Sequence, residues 1–395
     1  MKFSTFAFVV CFSFYSGLAL ALEFQANLGL DSAYKTKVEE WSFARTTLEP
    51  QVEESFMGDS LKAKVSFLGW YNGVERLDSS QNSPVREWAF FPKDNYLSLE
   101  TKEYELSLGT RVFSHGETFG WLKPDWINGR IYDDSFFMDE DLAKIGVLSA
   151  YFKVLFGQKS VELFFMPCAQ VFSIPQPWGS FSFEKTQNFS TACFETTEFG
   201  MRFSDFWEQM GVEIKLMYLH HLSRVPVLSY DVAGNRYLIH QNEMDTFFLS
   251  ANKAFGDWVL RGDFTYSLEF PFASESSLAV ETEQTLGAHI GVDRSWGEEN
   301  IFLFQTHTYY NKSFKTLLLA SAHLEYSIFD PLLTELTLLR GMNNDSYWYE
   351  AALAYRIFDL WKLKTSVSHL EIKEGPFGLQ SPKEWRYYAQ LSYQY

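Results

Sequence analysis

The chain has 395 residues and a net charge of −17 at pH 7, with 50 Asp and Glu against 33 Lys and Arg. That acid excess leaves no basic surface for nucleic-acid phosphates, so nucleic acid is excluded as a partner. Aromatic residues make up 18% and charged residues only 21%, yet mean hydropathy is −0.17 and no apolar run long enough for a membrane helix follows the N-terminus. Many aromatics without apolar blocks suit a transmembrane barrel, where only every second residue faces lipid.

The N-terminus reads as an export signal: Lys2 supplies the positive charge, Phe3 to Ser16 the apolar core, and Ala19-Leu20-Ala21 a small-x-small cleavage site. Residues 1–21 are predicted to be removed, leaving Leu22 as the mature start. Lys2 is the only charge among them, so the mature chain would carry −18, one less than −17. Cys11 follows Val10 inside the apolar core and lacks the small residue that lipid attachment needs.

Residues 22–395 alternate with period two, the mark of strands with one polar and one apolar face. Phe24, Ala26, Leu28 and Leu30 share a face. So do Leu61, Ala63, Val65 and Phe67, with Lys62, Lys64 and Ser66 opposite. The pattern returns in Val212, Ile214, Leu216 and Tyr218, in Leu286, Ala288, Ile290 and Val292, and in Leu318, Ala320, Ala322, Leu324 and Tyr326. Such strands run to about ten residues or more, the length needed to cross a bilayer at a tilt. Short connections, such as Lys102-Glu103 and Gly256-Asp257, alternate with long polar ones at Asn72–Asp94, Ser114–Ile145, Pro167–Ser190, Leu222–Gln241 and Pro271–Val280. Short periplasmic turns and long outer loops give an all-β, antiparallel up-and-down transmembrane barrel of about 18 strands. About 16 remain if the weak segments at Trp41–Glu49 or Asn95–Thr101 fail.

Ser114–Ile145 is too long for a plain turn, and its Trp121, Trp126, Tyr132, Phe136 and Phe137 make it too apolar for disorder. We expect it to fold into the lumen and narrow it, with Glu117, Lys123, Asp125, Asn128, Arg130, Asp133 and Asp134 as constriction candidates, because charged rings give pores their selectivity. An ordered lid that stays outside is the competing arrangement. Cys168 and Cys193 lie near the two ends of one outer loop, so a disulfide there and two unrelated thiols are both open. Alternation turns Arg111, Lys153, Glu198, Arg202, Glu213, Lys215, Arg261, Asp263, Glu350 and Arg356 inward, as it does Glu105, Glu325, Glu335, Lys362 and Lys364. Most should form ion pairs between neighbouring strands, and a minority should meet solute.

Tyr387, Ala389, Leu391, Tyr393 and Tyr395 alternate with Tyr388, Gln390, Ser392 and Gln394. Tyr393 and Tyr395 are the expected signal for the outer-membrane assembly machinery. Tyr218, Phe247, Trp258, Tyr310, Tyr326, Trp361 and Tyr393 should form aromatic girdles at the lipid interfaces.

Several short motifs carry a family resemblance. They are Arg86-Glu87, Tyr96-Leu97-Ser98-Leu99, Glu105 to Arg111 (E-L-S-L-G-T-R), His115-Gly116, Asp125 to Arg130 (D-W-I-N-G-R), Glu198-Phe199-Gly200-Met201-Arg202, and Leu216-Met217-Tyr218 ahead of Arg224-Val225-Pro226. Together they resemble a porin-like family of Gram-negative outer-membrane barrels, whose nearest analogues are general porins and polysaccharide-export barrels. That family reads approximately R-E-x-Y, L-x-L-G-R-Q, W-G and D-x-x-N-P-R-D. Here Thr110-Arg111 replaces Arg-Gln, His115 replaces Trp, and Gly129 and Ile131 replace Pro and Asp.

No Gly-x-Ser-x-Gly elbow and no His-Glu-x-x-His occurs, so an enzyme is not expected. His289, His307 and His323 lie on consecutive strands and offer a weak metal-site pattern with Asp293 or Glu325. Inward histidines more often bond a neighbour, so no metal and no cofactor is assigned. The expected function is diffusion of small hydrophilic solutes through the outer membrane of a Gram-negative bacterium. A substrate-specific transporter for an organic acid, sugar polymer or apolar compound is the alternative, as is a plugged barrel that binds a partner or supports the envelope. Outer-membrane lipids and the assembly machinery are the implied partners, and the alternation suits a monomer and a trimer equally.

Overall fold

The structure is a computed structural model that describes residues 23–35, 40–56, 60–72, 88–113, 127–130, 144–168, 183–184, 193–223, 227–231, 236–240, 242–273, 280–297, 300–311, 315–343, 346–357, 361–372 and 381–394. Eighteen strands form one closed antiparallel barrel. In chain order they are β1 (Glu23–Lys35), β2 (Glu40–Phe56), β3 (Leu61–Asn72), β4 (Trp88–Glu100), β5 (Tyr104–Arg111) and β6 (Val147–Phe156). Next come β7 (Lys159–Met166), β8 (Glu198–Trp207), β9 (Val212–Leu222), β10 (Glu243–Phe255), β11 (Trp258–Ala273) and β12 (Val280–Trp296). The last are β13 (Asn300–Asn311), β14 (Lys315–Phe329), β15 (Leu332–Gly341), β16 (Tyr347–Ile357), β17 (Trp361–Ile372) and β18 (Ser381–Gln394).

Each strand pairs with its sequence neighbour, and β1 closes on β18 with Leu28 opposite Tyr393 and Leu30 opposite Leu391. The expected barrel is therefore the observed one. Both segments read as weak are strands: Trp41–Glu49 lies inside β2, and Asn95–Thr101 runs from β4 into the turn after it. The long connection expected from Asn72 is shorter, because Trp88–Pro92 already pairs with β3 and Lys93 and Asp94 sit in a bulge of the same strand.

One end of the barrel carries tight turns. Phe156 pairs with Lys159 around Gly157, and Phe255 pairs with Trp258 around Gly256. Both glycines hold a positive φ, 64° and 61°, in open space, so the turn's backbone conformation selects them. The opposite, loop end holds the long connections. Two of these supply Val227–Asp231, Arg236–His240 and Phe183–Glu184, which join in a small three-stranded sheet. Leu222–Gln241, expected as a polar loop, is thus largely a hairpin.

Period two sorts the side chains. Leu106, Leu108, Leu163, Phe165, Leu216, Phe247, Ile290, Leu338 and Leu353 are exposed on the outer surface. Their neighbours in sequence, among them Ser107, Glu162, Phe164, Phe248, His289 and Ala352, are buried inside. Outside, Tyr218, Phe247 and Tyr266 lie side by side across β9, β10 and β11, with ring centroids 5.1 and 6.5 Å apart. At the turn end Trp361 meets Tyr393 at 4.8 Å, and Arg294 lies 5.2 Å over the ring of Trp258. These are amphipathic rings at two levels of an apolar surface, the arrangement expected of lipid-interface girdles. Among the described residues no helix is long and apolar enough to cross a membrane.

Candidate functional site in the barrel lumen

The site begins where β5 ends and the chain leaves the wall. Val112 N donates to Asp94 Oδ1 at 2.9 Å, and Lys64 pairs with the same carboxylate at 3.1 Å. One residue on, Phe113 N donates to Asn128 Oδ1 at 2.8 Å while Asn128 Nδ2 donates to Phe113 O at 2.6 Å. One side chain thus satisfies both backbone groups of a buried residue, which would otherwise cost about 1–3 kcal/mol for each group left unpaired. Gly129–Arg130 then forms a two-residue ladder with Lys144–Ile145. Gly146 N donates to Pro92 O at 2.9 Å, and a Cβ at Gly146 would fall 1.8 Å from Lys93 O. Only glycine lets the returning chain lie this close to β4.

Ile127 sits between these ties. It is 1% exposed and belongs to one apolar cluster with Phe113, Val147, Tyr151, Phe164, Met166, Leu219 and other inward-facing side chains of β6 to β11. Phe113 packs on Tyr151 at 5.8 Å and on Phe164 at 5.7 Å. The long connection therefore places Ile127 and Asn128 against the inner wall of the barrel.

Sequence reasoning missed this bed, although it left a signal. Leu163 to Met166, Leu216 to Leu219 and Phe247 to Leu249 are apolar on both faces. A strand whose inward face turns apolar must be covered there, since a water-filled lumen would wet it.

The lumen-facing charges are largely tied to one another. Arg111 pairs with Glu105 at 2.5 Å and faces three rings, Tyr151 at 4.6 Å, Tyr96 at 5.2 Å and Phe113 at 5.9 Å. Glu162, 2% exposed, takes Arg202 at 2.5 Å, Lys153 at 3.8 Å and the Tyr151 hydroxyl at 3.0 Å. Glu198 is fully buried and accepts from Leu222 N at 3.0 Å. Glu213 meets Lys215 at 3.1 Å and Asn252 at 2.8 Å, and Arg261 meets Asp293 at 2.6 Å. Glu335 takes Lys364, with Lys362 at 3.9 Å. Asp263 is buried opposite His289 in the ladder, and Glu350 stands opposite Thr337 and Ser368. Arg356 is half exposed near the turn end, 3.9 Å from Asp330.

Of the constriction candidates, Asn128 is buried at the tie described above, and Arg130 contributes backbone to the short ladder. Glu117, Lys123, Asp125, Asp133 and Asp134 lie outside the described residues, as does Tyr395. Tyr393 is on the outer face of β18.

The three histidines do not meet. His289 and His307 are directly opposite in the ladder, with Nδ1 atoms 2.6 Å apart, and His307 Nε2 reaches Ser321 at 3.2 Å. His323 pairs across from Leu303 and turns to Thr337 and Glu325 instead. Antiparallel register sets it four residues along β14 from Leu319, the partner of His307, or roughly 13 Å away. Among the described residues no cluster of three or more His, Cys, Asp or Glu could hold a metal ion. Cys168 and Cys193, left open by the sequence, are joined in a disulfide that closes the connection between β7 and β8. Beside it Phe194 N donates to Pro167 O at 2.6 Å.

No protein-family model matches the chain, and no curated protein sequence does. Solved structures do. The chain is similar to Pseudomonas aeruginosa OpdK with vanillate at a TM-score of 0.61 and 8% identity, over 95% of this chain and 98% of that one. It is similar to P. aeruginosa OccK2 (OpdF) in complex with glucuronate at 0.56 and 9%, with the same coverage of 95% and 98%. A BenF-like porin from Pseudomonas fluorescens gives 0.57 and 8%, again over 95% and 98%. At these identities the likeness is one of fold, and it spans the whole barrel.

Proposed function

We propose that the chain is an outer-membrane channel through which small hydrophilic solutes diffuse, filtered where the 114–145 connection narrows the lumen. Burial of Ile127 and Asn128 among inward-facing residues of the wall carries this reading, because a segment tied there occupies cross-section that solute would otherwise use. Residues 1–21 are its export signal, and Tyr393 and Tyr395 its assembly signal. Because most wall charges are neutralised in pairs, selectivity is set near the narrowing. Arg111, two residues before Phe113 and framed by three rings, is the wall cation closest in sequence to it.

A substrate-specific channel for a small organic acid is the second reading. Its support is the likeness of fold to barrels solved with vanillate and with glucuronate, together with the place of Arg111. No enzymatic step belongs to either reading.

Solute uptake into proteoliposomes tests the proposal. Uptake of small sugars should depend on the protein, and deletion of Trp121–Asp134 should raise both the rate and the size limit. An unchanged rate and size limit in that variant would refute the filter. If Arg111 is part of it, Arg111→Gln should slow uptake of vanillate or glucuronate severalfold more than that of neutral sugars of similar size.

A further inference from the structure

The outer face of β13 to β18 carries a groove of about 390 Å³ that opens away from the lumen. Ala322 and Ala351 leave its floor low, and Phe302, Leu324, Leu336, Leu338 and Val367 wall it. Toward the loop end it stops at Tyr349 and Trp385. His369 lies between those two rings in the ladder and is 2% exposed. Its ring stacks on Trp385 at 4.5 Å and tilts against Tyr349 at 5.2 Å, with Nε2 3.3 Å from the Tyr347 hydroxyl. The end of the groove is thus a rigid aromatic box with polar edges.

Arg340 stands one row above. It follows Leu338 by two residues on the same face of β15, roughly 7 Å nearer the loop end, and pairs across from Tyr347. Its side chain is exposed, and among the described residues no hydrogen bond or ion pair engages it. Glu371 shares the row but lies beyond Tyr347, two strands or roughly 10 Å away. The corresponding outward cluster on β9 and β10 is different, because there Asp245 is satisfied by the Tyr218 hydroxyl at 2.7 Å and by His220 at 2.9 Å.

We infer that this groove binds an anionic, phosphate-bearing lipid of the outer leaflet, with one acyl chain along the groove and the phosphate on Arg340. The inference rests on the membrane reading above. An apolar trough on the outer surface of such a barrel can be entered only from the bilayer. Aromatic residues with polar edges mark headgroup depth, and a guanidinium fork at that depth matches phosphate geometry. A cation facing lipid with no counter-charge among the described residues is costly, and a phosphate supplies one.

The test uses the folded protein in non-ionic detergent, with phosphatidic acid and the diacylglycerol of identical chains as probes in native mass spectrometry. Phosphatidic acid should be retained about tenfold better, the scale of one charge-assisted contact. Arg340→Gln should abolish that preference while keeping weak retention of both lipids. Ala351→Trp, which fills the groove, should lower retention of both. Equal retention of the two lipids by the native protein, or a preference that survives Arg340→Gln, would overturn the inference. So would loss of lipid in Ala351→Trp through break-up of an oligomer, since the groove would then be a contact between copies. Insertion of the same proteins into vesicles is followed in parallel. Failure of the native chain to insert counts against the membrane reading, whereas insertion without lipid preference counts against the groove alone.

Discussion

Asn128 bonds both the amide and the carbonyl of Phe113, and it does so in a buried setting where water cannot substitute. Asn128→Ala leaves both groups unpaired and should destabilise the tie by about 1–3 kcal/mol or more. The expected signs are a noisier, larger conductance and a lower unfolding temperature in a gel-shift assay. Wild-type values for both would remove Asn128 from the account. Gly146→Ala is harsher, because the new Cβ would meet the Lys93 carbonyl at 1.8 Å and backbone must move. The yield of folded, heat-modifiable protein should fall sharply. For the cysteines the expectation is chemical: non-reduced mature protein should give no thiol labelling, since Cys168 and Cys193 are joined.

At the scale of the strand, alternation decides what each position tolerates. Leu216 is exposed on the outer face near the middle of β9, whereas Lys215 points inward to Glu213. Leu216→Arg should cost about 2–4 kcal/mol at mid-membrane depth and reduce assembly. Lys215→Ala should assemble normally, and comparable yields of the two in membrane fractions would reverse the facing. The same alternation made the strands and their closure into a barrel legible beforehand. What it left hidden had physical causes. The five-residue strands Val227–Asp231 and Arg236–His240 are too short for period two to stand out from a polar loop. The meeting of His289 with His307, and not with His323, depends on register, which side-chain type does not encode. The bed under Ile127 was visible as strands apolar on both faces, a pattern that period-two reasoning discounts.

The whole barrel depends on one seam. β1 and β18 are farthest apart in sequence and pair from Asn27 opposite Gln394 to Lys35 opposite Arg386. Removing residues 391–395 deletes the partners of Asn27, Leu28, Gly29 and Leu30 and exposes an unpaired edge, which lipid does not tolerate. That truncation should abolish the folded band, and a normal band would mean that closure does not need this end of the seam. With the seam closed, most of the inward charges among the described residues are paired, and on the proposed reading the segment at Ile127 and Asn128 sets how much lumen remains open.

Single-channel conductance of the folded protein in a planar bilayer tests that account most directly, with reversal potentials taken across a salt gradient. Stable open steps are predicted, larger when Trp121–Asp134 is deleted, with the charge preference altered by Arg111→Gln. A demonstrably folded, inserted barrel that passes no current, with or without that segment, would contradict it.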